Sequence, residues 1–291
     1  MSSGLEAIAN ELRRLQRDGV DRVFVEDDTM HLIVPQEHEL SESPPQSEQS
    51  VAPNPSVKTA SKSVASPKAA PLPEPPIIEL PDGDAISQLA WLKERVLACE
   101  VCKEQLGEGS KIVFGTGSAQ ADIFFCGEAP DADDAREGEA FVGKSGQLLG
   151  KITRAMALTS ESVYTTNILK WRPEHNKPYG NRPPTLDEMR FCLPYLKAQI
   201  GIIQPKVIVA LGNTTVSGLF GHDPERKMVA IRGTWDQFEA IPVIITFHPS
   251  YLLRNGTLKT KRIVWEDMLQ VMEKCSLKIS DQQRGFFLPK S

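Results

Sequence analysis

Four short apolar runs in this 291-residue chain are each followed at once by a residue type that can do chemistry or make a close approach. Ala121 to Cys126 runs into Gly127-Glu128-Ala129-Pro130-Asp131, Ser162 to Thr166 into Asn167, Lys206 to Ala210 into Leu211-Gly212, and Pro242 to Phe247 into His248-Pro249-Ser250-Tyr251. A carboxylate can orient or deprotonate water. An amide can read a planar base edge with one donor and one acceptor, and a histidine can stabilise a developing oxyanion. Together they suit hydrolysis of a bond to a neutral heterocycle. Taken singly, each has a plainer reading: Glu128 as a helix cap or a solvated charge, Asn167 as a turn residue. A second group of reactive residues is the C-x-x-C pair Cys99 and Cys102, a spacing that suits a metal or cluster. Cys126, Cys192 and Cys275 are scattered, and an odd total of five is poor material for a disulfide framework.

The elements that must position these groups alternate in period. Ser145 to Ala157, Thr185 to Ile200, Asn213 to Phe220 and Thr260 to Cys275 have helical patterns, with Thr185 and Asn213 as candidate caps, and the four apolar runs between and before them are strand-like. Alternation at this spacing predicts an α/β domain over 84–278, a three-layer α/β/α sandwich around a central four-stranded parallel sheet. In such sheets the ligand crevice lies beyond the carboxyl ends of the strands, where the four chemical residues fall.

The remaining chain reads differently. Leu5, Ile8, Leu12 and Leu15 form one stripe of a helix that Gly19 stops, and Arg22 to Glu26 and Met30 to Val34 read as two short strands, so 1–40 is a small helix-plus-hairpin element. It is too small for a confident core and is expected either to dock on an unidentified protein partner or to be a plain extension. Residues 41–78 hold nine of the 22 prolines and eight serines, a composition that extends rather than packs, so 41–83 is expected to be a disordered linker and 279–291 a C-terminal tail. Residues 1–83 carry net charge −7 and residues 84–291 net +2, so the acidity belongs to the front. A near-neutral domain can still present a basic groove to phosphates. With 40% hydrophobic and 24% charged residues, fibrous and wholly disordered classes are excluded. No apolar run reaches the roughly 20 residues of a membrane span and no secretory leader is evident, so a cytoplasmic protein without a membrane partner is expected.

The stretches GEAPDADDAREGEAFVGKSGQLL (127–149), TTNILKWRP (165–173), RPPTLDEMRFCLPYLKAQI (182–200), PKVIVALG (205–212) and HPSYLLR (248–254) resemble the uracil-DNA glycosylase superfamily, most of all its family 4, the iron-sulfur branch. The resemblance spans about 86–275. It implies hydrolysis of the N-glycosidic bond of uracil in single- or double-stranded DNA to leave an abasic site. It assigns Glu128 to positioning the attacking water, Phe141 to stacking on the extruded uracil, Asn167 to reading the uracil edge and His248 to supporting the leaving uracil anion. Gly127 and Ala129 would complete the uracil pocket. The segment Ser250, Tyr251, Leu252 and Arg254 would enter the DNA minor groove, and Lys144, Arg172, Arg254 and the basic cluster Lys259 to Arg262 would neutralise phosphates. Two rival readings stand beside this: a member that binds damaged or single-stranded DNA without turnover, and a glycosylase for another deaminated base.

The chain departs from the family pattern at several points. Asp131 stands where the family has Gly, and Ala140 where it has Pro. The family's [4Fe-4S] cluster has four cysteine ligands; Cys99, Cys102 and Cys192 match three of them, but Trp171 occupies the other position. Indole cannot replace a thiolate. Either the cluster is absent and the three cysteines are remnants, or one survives with a different ligand. Cys126 and Cys275 read as small core residues. His175, in extra length after Trp171, reads as a surface-loop residue.

Overall fold

The computed structural model describes residues 72–173 and 182–288, all within one compact unit. The helix-plus-hairpin element, the linker as far as residue 71 and the loop holding His175 lie outside the described residues.

Six strands form one sheet: β1 (Thr116–Gly117), β2 (Ile123–Gly127), β3 (Val163–Asn167), β4 (Val207–Leu211), β5 (Trp235–Phe238) and β6 (Ile241–Thr246), in the order β1-β3-β2-β4-β6-β5. The middle four, β3-β2-β4-β6, are parallel. β1 pairs antiparallel with β3 and β5 antiparallel with β6, so the expected four-stranded parallel sheet is the centre of a mixed, six-stranded one. Both edges escape a pattern reading for physical reasons. β1 is two residues long, and β5 exposes Trp235, Asp236 and Gln237. The hairpin joining β5 to β6 turns through Glu239 and Ala240, both at positive φ (48° and 65°), without the glycine or asparagine that usually marks such a turn.

The helices are α1 (Ala85–Leu97), α2 (Glu100–Glu104), α3 (Ala132–Glu137), α4 (Lys144–Ala155), α5 (Leu186–Ile203), α6 (Asn213–Phe220), α7 (Met228–Ile231), α8 (Pro249–Arg254), α9 (Leu258–Lys274) and α10 (Asp281–Arg284). β2 and β4 are buried at every position, and side chains alternate between two cores as a period of two requires. Phe124, Ile208 and Ile245 face Met189, Leu196 and Ile200 of α5 and Val216 and Leu219 of α6. Ile123, Phe125, Val209 and Ile244 face Leu149 of α4 and Met268, Val271 and Met272 of α9. These are the three layers. A third apolar cluster joins α1, α2 and α5 through Leu92, Val96, Cys102, Trp171, Phe191, Cys192 and Ile202. Leu72 and Ile78, in a stretch without regular structure, pack against it. At the other end, Trp265 Nε1 donates to the Gln283 carbonyl (2.6 Å) and Gln283 Nε2 to the Ala155 carbonyl (2.8 Å), tying α10 to α9 and α4.

Helix starts follow local chemistry. Thr185 and Glu188 form a reciprocal capping box on α5, as the sequence predicts for Thr185. α6 is preceded by Gly212 at φ 91° rather than capped by Asn213, which is its first residue.

One polar tie reaches the end of β6. Asp267 of α9, fully buried, accepts from Thr246 Oγ1 (2.6 Å) and from Arg232, and Thr246 lies two residues before His248. Removing one partner of such a buried pair strands the other. Asp267→Ala is expected to lower stability by roughly 3–5 kcal/mol, read as a reduced urea midpoint at unchanged slope. A loss under about 1 kcal/mol would show that the tie does not hold β6.

Candidate active site

At the carboxyl ends of the parallel strands lies a cavity of about 610 Å³ lined by Glu128, Ala129, Asp131, Asp134, Phe141, Asn167, His248, Ser250, Tyr251 and Arg254, together with Ser145, Gly212, Asn213, Met228, Val229 and Phe247. Backbone pairing sets its floor. Gly127 and Asn167 are register partners in the β2–β3 ladder, and the pairing continues past both strands, with Ile168 N donating to the Gly127 carbonyl (3.0 Å) and Leu169 N to the Glu128 carbonyl (3.1 Å). A Cβ at residue 127 would stand 2.7 Å from Phe141 Cζ and closer still to Asn167 Oδ1, so only glycine lets the ring and the amide meet there.

Asn167 is 1% exposed, and neither its Oδ1 nor its Nδ2 has a hydrogen-bond partner. A buried amide left in this state costs about 1–3 kcal/mol for each unpaired group, so the orphaned donor and acceptor point to a ligand with the complementary pair. The segment behind it is pinned. Lys170, fully buried, donates to the Asn167 carbonyl (2.8 Å), Thr166 Oγ1 (2.9 Å), the Phe114 carbonyl (3.3 Å) and Gln199 Oε1 (2.8 Å). Burial lowers its pKa to about 8.

Phe141 sits at φ 61°, a left-handed conformation that costs a non-glycine residue about 1–3 kcal/mol. Asp134 secures it: Oδ1 accepts from Val142 N (2.8 Å) and Gly143 N (3.3 Å), immediately after the ring. Asp131 caps α3, its Oδ1 accepting from Asp133 N (2.9 Å) and Asp134 N (3.0 Å), while Asp131 N donates to Asp134 Oδ2. Burial pushes the Asp134 carboxyl above its ordinary value, and the neighbouring Asp131 adds to that.

His248 caps α8. Its Nδ1 accepts from Ser250 N (3.2 Å) and lies 2.8 Å from Ser250 Oγ. With Nδ1 accepting, the neutral ring carries its proton on Nε2. Burial, with the charge of Arg254 behind it, lowers the His248 pKa to about 4. The ring centroid is 6.2 Å from that of Phe141, the two planes tilted by 34°. A Cβ on residue 212 would meet His248 Cβ at 3.1 Å, which explains the glycine ending the third run. Burial raises the Glu128 pKa, while a hydrogen bond with Thr214 and the charge of Arg254 pull it back. The cavity thus combines a carboxylate, a neutral imidazole donor, an unpaired amide and an aromatic face.

The residues named from the sequence divide accordingly. Glu128, Ala129, Phe141, Asn167, His248, Ser250, Tyr251 and Arg254 share the cavity, and Gly127 forms its floor. Tyr251 stacks on Phe247 at 4.5 Å, and Arg254 is exposed. Leu252 turns inward and packs with Phe247 and Val264, whereas Leu253 is 50% exposed. Lys144 opens α4 as an exposed residue, and neither it nor Arg172 lines the cavity. Asp134, Ser145, Asn213, Met228 and Val229 line it without having been singled out for the site. The GEAPDADD run contained Asp134, but only the fold turns it toward Phe141.

Three of the four cysteine positions of the family pattern carry thiols here. Cys102 and Cys192 lie in the α1–α2–α5 cluster with Cys99 against it, yet Trp171 fills the remaining family position, 1% exposed and packed on Phe191. Among the described residues no three His, Cys, Asp or Glu side chains are placed to hold a metal ion, and all five cysteines are free thiols. Cys126 is fully buried in β2, where burial pushes its pKa to about 12, and Cys275, also buried, is raised to about 11.

The family model of the uracil DNA glycosylase superfamily matches residues 114–269. The type-4 uracil-DNA glycosylase of Thermotoga maritima is 40% identical over 178 residues, covering 61% of this chain and 89% of that protein. That of Sulfurisphaera tokodaii is 36% identical over 195 residues, 65% of this chain and 85% of that one. That of Archaeoglobus fulgidus is 33% identical over 189 residues, 63% and 91% respectively. The chain belongs to the uracil-DNA glycosylase superfamily. Within it, its resemblance is to the type-4 proteins.

The tautomer of His248 gives a pH signature. A ring titrating at about 4 stays a neutral Nε2–H donor across the neutral range, so catalysis that uses it has no inflection near 6.5. We expect His248 to contribute no inflection to kcat/KM between about pH 6 and 8 and to take up its proton only at lower pH, where activity that needs the neutral ring falls. An inflection near 6.5 that His248→Gln removes would overturn the neutral-imidazole assignment.

Proposed function

We propose that this protein hydrolyses the N-glycosidic bond of uracil in DNA, releasing the base and leaving an abasic site. The observation that carries the reading is the Asn167 amide, buried with donor and acceptor both unpaired beside Gly127 and the Phe141 ring. The uracil edge offers an acceptor at O4 next to a donor at N3, the complement of one amide. Type-4 relatives carrying the same function in their names support the assignment.

An enzyme acting at the glycosidic carbon must first take the base out of the stack, at a cost of a few kcal/mol. Stacking on Phe141 returns about 1–3 kcal/mol of that, without regard to sequence. As the bond to C1′ breaks, electrons move onto the base and the sugar becomes cationic. His248 Nε2–H is the donor for the charge growing on the uracil oxygen, and Ser250 fixes that ring from its Nδ1 side. Glu128 orients the water that adds to C1′ and, as a carboxylate, favours the oxocarbenium-like sugar. Water supplies the hydroxyl at C1′ and passes its other proton by way of Glu128 to solvent, from which the departing uracil anion takes one.

DNA would meet the cavity mouth at α8. Tyr251 and Arg254 face it, and on α8 the exposed apolar side chain that could fill the gap left by the extruded nucleotide is Leu253, Leu252 being buried beneath. Lys144 and Arg172 are assigned to phosphates, which fix register without reading sequence.

The test is release of uracil from labelled single- and double-stranded oligonucleotides, read as alkali-dependent strand scission. Wild type should cleave both. Glu128→Ala should lower kcat by about 10²–10⁴, and His248→Ala by about 10²–10³. DNA binding without scission would replace this reading with that of a non-catalytic binder, and scission only at hypoxanthine or xanthine would replace it with that of a glycosylase for another deaminated base.

A further inference from the structure

We propose that this chain is a cluster-free member of its family, in which the indole of Trp171 and its apolar neighbours hold α1, α2 and α5 together where the resemblance places an iron–sulfur cluster. The inference rests on family membership and not on the uracil reading.

Donor chemistry comes first. Cys99, Cys102 and Cys192 offer three thiols, and the position that should supply the other ligand carries an indole, whose nitrogen is a hydrogen-bond donor with its lone pair tied into the ring. Space comes second. Trp171 is the largest of the fully buried side chains, 1% exposed, so the volume is filled by carbon rather than left open for inorganic sulfide and iron. It meets Phe191 at 6.4 Å and 55°, and Phe191 meets Tyr195 at 6.4 Å and 74°, an aromatic row along α5 in the tilted and edge-on arrangements that aromatic rings prefer. Leu92 and Val96 of α1 and Leu169 close on the same cluster. Third, the buried cation Lys170 needs no anionic cluster: it already has four oxygen acceptors for its three protons. Cys102 interacts with both Cys99 and Cys192, so the three thiols stay together while the family's other ligand position holds the indole.

The experiment uses the full chain, expressed with iron and cysteine supplied and purified without oxygen. Iron, zinc and acid-labile sulfide are measured together with the visible spectrum, and thermal melting is followed with and without a strong iron chelator. Metal below about 0.1 per chain, a colourless protein and a melting temperature unmoved by the chelator are expected. Near-stoichiometric zinc, or about four irons with matching sulfide, overturns the proposal, above all if Cys99→Ala loses both metal and stability. Trp171→Cys restores the full thiol set and is expected to gain iron and colour. A folded Trp171→Cys protein that stays metal-free would show that Trp171 is not what excludes the cluster. These readouts are independent of base release, so failure here and failure of the glycosylase reading are separable.

Discussion

The site depends on the way β2 and β3 end together. Gly127 faces Asn167 across the parallel ladder, and two more backbone bonds carry the pairing on through Ile168 and Leu169. That extension fixes the backbones of Glu128 and Asn167 relative to each other, so the carboxylate and the amide start from set positions on adjacent strand ends. The cost is concentrated here as well. Asn167 keeps two unpaired polar atoms out of water, and Phe141 is held in a left-handed backbone. Such features persist where surrounding structure over-determines them. The over-determination is visible: Lys170, Gln199 and Tyr164 form one hydrogen-bonded network behind Asn167, and Asp134 grips the backbone just after Phe141.

The same logic explains how the chain accepts Asp131 where the family pattern it resembles implies glycine. Residue 131 has φ −86°, an extended conformation open to any side chain, so the turn itself never needed glycine. The carboxylate does the work of an N-cap, and its partner Asp134 is the group that holds Phe141. The substitution therefore adds negative charge to the cavity wall while strengthening the start of α3. Arg254 and the electrically neutral His248 keep that wall from being wholly acidic.

Much of this was legible from residue order because parallel strands buried on both faces leave unbroken apolar runs, and a run that stops at Glu128, Asn167, Gly212 or His248 marks the crevice directly. Strand edges were not legible: two residues at β1 and an exposed β5 carry no periodic signal. Nor was the difference between Leu252 and Leu253, which have the same side chain and are separated only by the rotation of α8. Lys170 illustrates the deeper limit. A lysine beside a tryptophan and an arginine reads as surface charge, yet it is fully buried because its four acceptors come from Phe114, Thr166, Asn167 and Gln199, which tertiary structure alone assembles.

Residues 167–171 connect the two questions that the sequence left open. Asn167 faces the cavity, Ile168 enters the core beneath α5 and α6, Lys170 enters the polar network, and Leu169 and Trp171 enter the α1–α2–α5 cluster. Ala129, on the cavity wall, also packs against that cluster. Whatever fills the space around residue 171 therefore supports the far side of the segment that presents Asn167. A void there would forfeit the packing contacts that hold this segment and free it to move. Losing a thiolate ligand is tolerable at this position only if something of similar bulk replaces what it bound, and tryptophan, the largest side chain, meets that demand with dispersion and burial instead of metal–sulfur bonds.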